Sequence, residues 1–242
     1  MITVRKSADR GQTRFSWLDS RHSFSFGDYR DPMHVHFGPL RVINDDRIHG
    51  GGGFAPHSHR DMEIVTYMVS GALAHEDSTG GRETIGADEV QRMTAGTGIT
   101  HSEFNASKTE AAHLLQIWLL PDRNGHAPGY EQKRFTRADK EGRFLAIASG
   151  RGAPGALALH QDADIFASVL SPGKTLAHTL APGRRAWVQV VAGGITVNGT
   201  ALEGGDGAAI ELEGGDGAAI EDGTRLEFAA TTDAEFLLFD LA

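Results

Sequence analysis

Short runs of apolar residues, many of them alternating with polar residues, recur along most of the chain and are separated by turn-forming residues. Successive side chains of a strand point to opposite faces, so runs of this length and pattern are typical of β-strands. Turn signals such as Ser70-Gly71 and Ser78-Thr79-Gly80-Gly81 divide the runs. In the first half of the chain the pattern predicts strands over residues 40–46, 62–69, 72–76, 83–85, 89–93, 101–104 and 113–120.

A second series of strand-like runs follows a stretch that is rich in Pro, Gly and Asn, at residues 121–130. We place a crossover between two domains there, which predicts domains over residues 1–125 and 126–242. Residues 190–199 resemble residues 68–73 in their pattern, so the second half is predicted to be a degenerate copy of the first. Its strands are predicted over residues 144–147, 157–161, 165–170, 176–180, 186–191, 195–197, 225–229 and 235–241.

Many short strands with regular turns indicate a β-sandwich or β-barrel, and double-sheet jelly rolls belong to these folds. The predicted fold class is therefore all-β. Near the N-terminus, residues 14–18 and 23–26 are either short strands or loops that cover a barrel. Asp45 and Asp46, at the end of the first clear strand, are interpreted as a turn.

Residues 202–211 recur without change as residues 212–221, reading Leu-Glu-Gly-Gly-Asp-Gly-Ala-Ala-Ile-Glu twice. Because chance does not give a ten-residue identity, this is a recent duplication or an artefact rather than an architectural repeat. One copy is predicted to form a native turn and strand with its Ala-Ala-Ile inward. The other is predicted to extend a surface loop or hairpin, where insertions are tolerated.

Composition and charge exclude several classes of function. None of the 242 residues is cysteine, so disulfides, thiolate ligands and a cysteine nucleophile are excluded. The formal net charge of −9 disfavours a general nucleic-acid-binding surface. The chain shows neither a signal-peptide pattern at its start nor an apolar run near the ~18 residues of a membrane span. The expectation is a cytoplasmic protein without membrane association.

Two pairs of candidate metal ligands stand at i and i+2. His57 and His59 form one pair, and His101 and Glu103 form the other. Residues spaced by two lie on the same face of a strand, so each pair can direct two ligands to one point. Imidazole suits Zn, Cu, Fe and Ni. Two strands facing one interior therefore predict a site of three histidines and one carboxylate, with positions left open for water or substrate.

Other histidines are interpreted as structural. His34 and His36 form another His-x-His pair, but they lie in a loop-like region without a partner pair, which favours a solvated or pocket-rim feature. The remaining histidines are isolated and are predicted to be hydrogen-bonded or exposed rather than ligands: His22, His49, His75, His113, His126, His160 and His178.

The spacing around both candidate pairs resembles the two cupin motifs, with one extra residue before the last glycine of the first motif. The second motif lacks the proline expected two residues before its glycine, and Gly96 stands there. More narrowly, the chain is similar to the pirin family over nearly its whole length. The resemblance to cupins lies in Gly51-x5-His57-x-His59-x3-Glu63-x7-Gly71 and Gly98-x2-His101-x3-Asn105, and that to pirins in residues 17–20, 22–26, 37–46, 57–63 and 96–103.

The pirin resemblance implies a bicupin, that is, two cupin-type β-barrels packed together. The second half contains neither a His-x-His nor a His-x-Glu pair, so it is expected to bind no metal. It implies His57, His59, His101 and Glu103 as the ligands. Many other cupins use the glutamate of the first motif, so Glu63 is the rival fourth ligand. Otherwise Glu63 is expected to hold the free nitrogen of a ligand imidazole, and Asp61 is an equal candidate for that role.

The resemblance also implies two alternative functions. The first is a metal-dependent quercetin 2,3-dioxygenase that opens the flavonol ring with release of carbon monoxide, with a flavonol-like aromatic compound and O2 as partners. Glu103 would take the hydroxyl proton as the catalytic base. The second is a regulatory protein, a redox-sensing transcription cofactor or a modulator of a metabolic enzyme, which would bind a protein partner. Fe(II) is the expected metal from the family, and Ni, Co, Cu, Mn or Zn also fit the ligands.

Overall fold

The protein is almost entirely β-structure in a computed structural model that describes residues 2–198, 210–221 and 225–242. The all-β prediction is confirmed. The helical segments are α1 (Arg137–Lys140) and a 3-10 turn at Ser7–Asp9, and none of the helices described has the length and apolar character needed to cross a bilayer. The strands are β1 (Ile2–Arg5), β2 (Gly11–Phe15), β3 (Leu18–His22), β4 (Leu40–Ile48), β5 (Gly53–His59), β6 (Glu63–Ser70), β7 (Ala72–Asp77), β8 (Arg82–Gly86), β9 (Glu89–Thr94), β10 (Ile99–Asn105), β11 (Ala112–Leu119), β12 (Gly129–Arg134), β13 (Leu145–Ser149), β14 (Leu157–Ala158), β15 (Ala163–Leu170), β16 (Thr175–Thr179), β17 (Arg185–Ala192), β18 (Gly194–Val197), β19 (Ile210–Glu213), β20 (Gly217–Ile220), β21 (Arg225–Ala230) and β22 (Ala234–Leu241).

The chain forms two compact units whose residues interleave along the sequence. The N-terminal unit comprises Arg10–Thr136 and Ala148–Asp162. The C-terminal unit comprises the described residues of Met1–Asp9, Arg137–Ile147 and Ala163–Ala242. The division after residue 125 stays a prediction about domains along the sequence.

Both units repeat the same eight-stranded topology. In the N-terminal unit the strand orders are β9-β6-β11-β4 in the larger sheet and β5-β10-β7-β8 in the smaller one. In the C-terminal unit they are β20-β17-β22-β15 and β16-β21-β18-β19. Adding eleven to each strand number of the first unit gives the second unit, so the predicted internal repeat is confirmed. Further strands extend the larger sheets at their edges, β12, β3 and β2 in the first unit and β1 and β13 in the second.

A row of polar side chains crosses the larger N-terminal sheet, one residue from each of six neighbouring strands. Cross-strand neighbours on one face of a sheet lie within contact distance, so the members of such a row can bond to one another. We call this set the polar row: His22, Asn44, Gln116, Thr66, Gln91 and Gln132, in the order of the strands β3, β4, β11, β6, β9 and β12.

Apolar clusters flank the polar row on either side. Burial of their side chains supplies the hydrophobic stabilisation that a polar row cannot supply. The row is therefore a polar layer between two apolar ones. One cluster contains Leu18, Ile48, Met68, Leu73, Ile85, Ala112 and Leu114, and the other contains Ile64, Met93, Ala95 and Ile99.

The first clear strand does not end where the sequence suggested. The prediction of a turn at Asp45 and Asp46 is wrong, because β4 continues to Ile48 and both carboxyl groups are buried. Alternation sends the two carboxyl groups to opposite faces of the sheet. Asp45 accepts a 2.7 Å hydrogen bond from His113 Nε2 and pairs with Arg10 at 3.1 Å. Partners on other strands thus compensate for burial of charge in mid-strand.

The second copy of the ten-residue duplication is part of the C-terminal unit. It supplies the turn before β20 and that strand itself, which pairs with both β1 and β17. Ala218 and Ile220 are fully buried in the apolar core of this unit, and Ala219 between them is half-buried on the opposite face. Residues 202–209, nearly all of the first copy, lie outside the described residues.

Asp45 gives the protein a pH-dependent contribution to stability. Burial alone would raise the pKa of Asp45, but the hydrogen bond from His113 and the charge of Arg10 lower it to about 2. A carboxyl with a depressed pKa stabilises the fold above its unfolded pKa near 3.8, and this contribution is lost as the pH falls through about 2. The Asp45→Asn variant should lower the free energy of unfolding by about 2 kcal/mol at pH 7.

Denaturant unfolding at pH 7, 4 and 2.5 checks this expectation. The difference between Asp45→Asn and the unsubstituted protein should shrink between pH 4 and 2.5. Asp9 is exposed, so Asp9→Asn is the matched control and should change stability by less than about 0.5 kcal/mol. A difference that stays constant over this pH range would show that the charge of Asp45 is not its source.

Candidate metal centre

The four predicted ligands lie on neighbouring strands of the smaller N-terminal sheet. His57 and His59 belong to β5, and His101 and Glu103 belong to β10. The strands are antiparallel, and His57 stands opposite His101. A bulge between His101 and Glu103 then shifts the register, so that Glu103 stands opposite Phe54. Such a bulge re-aims a side chain relative to the regular ladder.

Three imidazoles converge within this sheet. One ring nitrogen of each of His57, His59 and His101 lies within 4.8 Å of the corresponding nitrogens of the other two. The ring centroids are 4.8 Å apart for His57 and His59, 4.5 Å for His57 and His101, and 4.9 Å for His59 and His101. Three nitrogen donors that close together are the kind of set that binds a transition metal.

Hydrogen bonds and burial prepare these imidazoles for a metal. His57 Nδ1 lies 2.8 Å from the carbonyl oxygen of Ala55 and donates to it, which leaves the Nε2 lone pair free. His101 Nε2 is buried and has no hydrogen-bond partner in the part of the chain that the structure describes. Burial, followed by the charge of His57, lowers the pKa of His59 to about 4 and that of His101 to about 3. Neutral imidazoles at pH 7 fit a metal ion.

His75 supports His101 from the adjacent strand. Its Nε2 lies 3.1 Å from Asp77 Oδ2, and both side chains are fully buried. Because His75 donates its Nε2 proton to the Asp77 carboxylate, its Nδ1 carries a lone pair. This Nδ1 faces His101 Nδ1 at 3.5 Å. This order places the His101 proton on Nδ1 and the lone pair on the unpartnered Nε2. A ligand imidazole is commonly oriented through its other nitrogen in this way.

Glu103 is held by two amides from the polar row. Gln91 Nε2 donates to Oε1 at 3.0 Å, and Gln116 Nε2 donates to Oε2 at 2.8 Å. Burial raises the pKa of Glu103 to about 7, with the nearby Asp46 carboxyl adding to the rise and the two amides opposing it. Glu103 has an oxygen within 4.8 Å of ring nitrogens of both His101 and His75, but among the described residues it is not part of the close set formed by His57, His59 and His101. It lines the same cavity as those three imidazoles.

Thr66 fixes the orientation of both amides. Its hydroxyl donates to Gln116 Oε1 at 3.3 Å and accepts from Gln91 Nε2 at 3.1 Å. The Gln116 amide must therefore turn its nitrogen toward Glu103. Tyr130 Oη donates to Gln91 Oε1 at 3.2 Å, so the Gln91 amide also turns its nitrogen toward Glu103. The described residues thus present two amide donors to the Glu103 carboxyl.

A cavity of about 290 Å³ opens in front of the imidazoles. Its volume is close to the lower end of the range for small-molecule sites. Aromatic and aliphatic side chains from both sheets form most of its wall, with polar groups of the polar row among them. Its lining includes His57, His59, His101, Glu103, Ser20, His22, Asn44, Asp46, Gln116, Phe26, Phe54, Ile64 and Trp118.

Glu63 and Asp61 do not hold a ligand imidazole, so the prediction for them is wrong. Glu63 begins β6 in the larger sheet, where its fully buried carboxyl accepts from the backbone N and Nδ1 of His160, both at 3.3 Å. Asp61 Oδ1 accepts from the backbone N of Gly125 at 2.7 Å. The turn at residues 60–62 separates the sheets and carries both carboxyl groups away from His57 and His59.

The second His-x-His pair also has local partners. His34 Nδ1 lies 2.8 Å from Asp31 Oδ2, and His36 Nδ1 lies 3.0 Å from the carbonyl oxygen of Gly38. Neither residue lines the cavity that contains the three imidazoles. The interpretation of this pair as a loop feature agrees with these contacts.

Sequence reasoning missed the residues that support the site. His75 was interpreted as isolated, although it stands opposite Glu103 in the register of β7 and β10. Gln116 interrupts the apolar run of β11, and a buried polar residue in such a strand needs a partner. The interruption at Gln116 was the signal in the sequence for a buried hydrogen-bond partner. Gln91 gave no such signal, because β9 also carries Glu89, Arg92 and Thr94.

Comparisons with known proteins agree with this fold. The Pirin family model matches residues 3–119, and the model for the quercetinase C-terminal cupin domain matches residues 146–241. The quercetin 2,3-dioxygenase of Escherichia coli K12 is 44% identical over 241 residues, which covers 100% of this chain and 99% of the relative. The prediction of cupin-type units is confirmed by these matches.

Solved structures give the same result. The crystal structure of the bacterial pirin YhhW from Escherichia coli in complex with nickel(II) is 43% identical, with a TM-score of 0.91, and covers 100% of this chain and 99% of that one. The protein YhaK from Escherichia coli is 29% identical, with a TM-score of 0.73, and covers 90% of this chain and 92% of that one.

The role of Thr66 can be tested through stability. The Thr66→Val variant keeps the side-chain shape but removes the hydroxyl that joins Gln91 to Gln116. Because both amides are buried, the loss of this partner should lower the free energy of unfolding by about 1–3 kcal/mol, as measured by denaturant unfolding. Thr84 is exposed on β8, and Thr84→Val should change it by less than about 0.5 kcal/mol. Equal stabilities for the two variants would contradict this role.

Proposed function

Because the chain belongs to the pirin family, we propose that it is a metal-dependent dioxygenase that cleaves flavonols such as quercetin by 2,3-dioxygenation. The observation that carries the proposal is the convergence of three imidazoles on an aromatic-lined cavity. The relative named quercetin 2,3-dioxygenase is similar over the whole length of the chain, which supports the substrate class.

His57, His59, His101 and Glu103 are the proposed ligands of one divalent metal ion. The lone pair left on His57 and the unpartnered Nε2 of His101 support the two imidazoles as donors. The place of Glu103 in the wall of the cavity that His57, His59 and His101 line supports the carboxylate as the fourth. Fe(II) remains the proposed metal, and the nickel(II) complex of the relative YhhW supports the binding of a divalent ion.

The residues of the cavity have separate tasks in this reaction. When bound, the metal supplies a Lewis acid that favours the ionised form of a flavonol hydroxyl group. Trp118 and Phe26 lie edge to face at 5.4 Å and wall the cavity with apolar surface, which excludes water from the flat rings of the substrate. The Glu103 carboxyl, held by Gln91 and Gln116 in the cavity wall, takes up the hydroxyl proton as the catalytic base.

Metal content tests the ligand assignment. Protein loaded with Fe(II) or Ni(II) should hold about one ion per chain, and His57→Ala, His59→Ala or His101→Ala should remove most of it. Glu103→Ala should weaken metal binding more than Glu63→Ala does. The matched control is His36→Ala, from the other His-x-His pair, which should keep full occupancy. Full occupancy by elemental analysis in all three ligand-histidine variants would contradict the assignment.

Turnover tests the reaction. The Fe- or Cu-loaded protein should deplete quercetin with uptake of oxygen and release of carbon monoxide, and the metal-free protein should not. His178→Ala in the C-terminal unit should keep most of the activity, because the proposed ligands all lie in the N-terminal unit. Metal-independent turnover would contradict the mechanism. Absence of turnover with every metal, at full occupancy, would favour the regulatory alternative.

A further inference from the structure

Asp46 is a buried carboxyl in the cavity that the ligand assignment leaves without a role. It is 2% exposed and lies on the inner face of β4. Its Oδ1 accepts a hydrogen bond from the Ser20 hydroxyl. No hydrogen bond from the described residues reaches its other oxygen, Oδ2, and the side chain lines the cavity. An acceptor that faces a cavity without a protein partner is a hydrogen-bonding position for a ligand group.

Asn44, two residues before Asp46 on the same face, offers the complementary donor. Its Oδ1 is occupied by His22 Nδ1 at 2.7 Å, and His22 Nε2 accepts from the Thr13 hydroxyl at 2.8 Å. This bonding fixes the His22 tautomer with its proton on Nδ1. The Asn44 amide must then turn its nitrogen toward the cavity, where the described residues provide it with no acceptor.

Aromatic side chains line the cavity wall between the Asp46 and Asn44 groups and the imidazoles, which suits a ligand with an aromatic ring. Phe26 lies 5.3 Å from His22 and 5.4 Å from Trp118, measured between ring centroids. Trp118 in turn lies 4.8 Å from His59. This chain of ring contacts runs along the cavity wall from the polar end at His22 to the imidazoles, so a flat ligand can face both ends at once.

We propose that Asp46 and Asn44 form a hydroxyl-binding subsite that selects aromatic substrates with phenolic hydroxyl groups beyond those that face the imidazoles. A phenolic hydroxyl both donates and accepts, so it matches an acceptor on Asp46 and a donor on Asn44. A site built to bond a hydroxyl rejects the analogue that lacks it, since its buried polar groups then stay unpaired. This inference rests on the proposed flavonol function and adds a determinant of specificity to it.

Two flavonols separate this subsite from the rest of the cavity. Quercetin carries four hydroxyl groups besides the 3-hydroxyl, and 3-hydroxyflavone carries none. Dissociation constants are measured under nitrogen by quenching of tryptophan fluorescence, with the Ni(II)-loaded protein, so that turnover does not interfere. The unsubstituted protein should bind quercetin about tenfold more tightly than 3-hydroxyflavone, as expected for one additional hydrogen bond.

The Asp46→Ala variant should lose this preference, so that the ratio of the two constants falls toward one, while the constant for 3-hydroxyflavone changes less than about threefold. Asn44→Ala should shift the ratio in the same direction, and it serves as the second variant if Asp46→Ala does not fold. The matched control is Asp45→Asn, whose carboxyl points to the opposite face of β4 toward His113 and Arg10. It should keep the ratio unchanged.

The outcomes distinguish the subsite from the flavonol function itself. If the unsubstituted protein binds both flavonols and Asp46→Ala leaves the ratio of their dissociation constants unchanged, the subsite is overturned. The proposed flavonol function is then unaffected. Failure of the unsubstituted protein to bind either flavonol overturns the function and the subsite with it. A lost preference in the folded Asp46→Ala variant supports the proposal.

Discussion

The N-terminal unit depends on the hydrogen bonds that the buried groups of the polar row form. The row puts amide, hydroxyl and imidazole groups at the centre of a sheet face where apolar packing would be more stabilising. Most of these groups are tolerated because a neighbour of fixed polarity is hydrogen-bonded to them, and the exception, the amide nitrogen of Asn44, faces the cavity. The Thr66 hydroxyl fixes the orientation of the Gln91 and Gln116 amides, and both amide nitrogens then donate hydrogen bonds to Glu103. A network in which few groups were hydrogen-bonded would be less stable than an apolar core.

The C-terminal unit demonstrates the alternative use of the same topology. Where β10 carries His101 and Glu103 on its inner face, the corresponding strand β21 carries the buried Leu226 and Phe228. Val188 on β17, which corresponds to β6, pairs with Leu238 and Ala218 in an apolar row. The fold alone therefore does not determine whether the interior of a unit holds metal ligands or apolar side chains. The chemistry of the inner-face residues decides between them.

Much of the strand framework could be predicted from the sequence, since periodic runs with turn residues between them marked most strands to within a few residues. Local pattern failed where distant partners decide the outcome. Asp45 and Asp46 look like a turn in isolation, yet His113 and Ser20, far away in sequence, keep them within β4. The i and i+2 spacing identified the three imidazoles, which the structure brings together. It did not reveal that a turn puts His59 and Glu63 in different sheets.

The difference between the two inner faces also implies a different tolerance to substitution. In an apolar row, exchange of one aliphatic side chain for another of similar volume usually costs less than about 1.5 kcal/mol. In the polar row, the direction of each hydrogen bond depends on the next, because His22 fixes the amide of Asn44 just as Thr66 fixes that of Gln116. An isosteric exchange that reverses one donor then disturbs its neighbours as well. The positions with the least freedom are thus those that orient groups at the cavity, which ties the stability of the N-terminal unit to its chemistry.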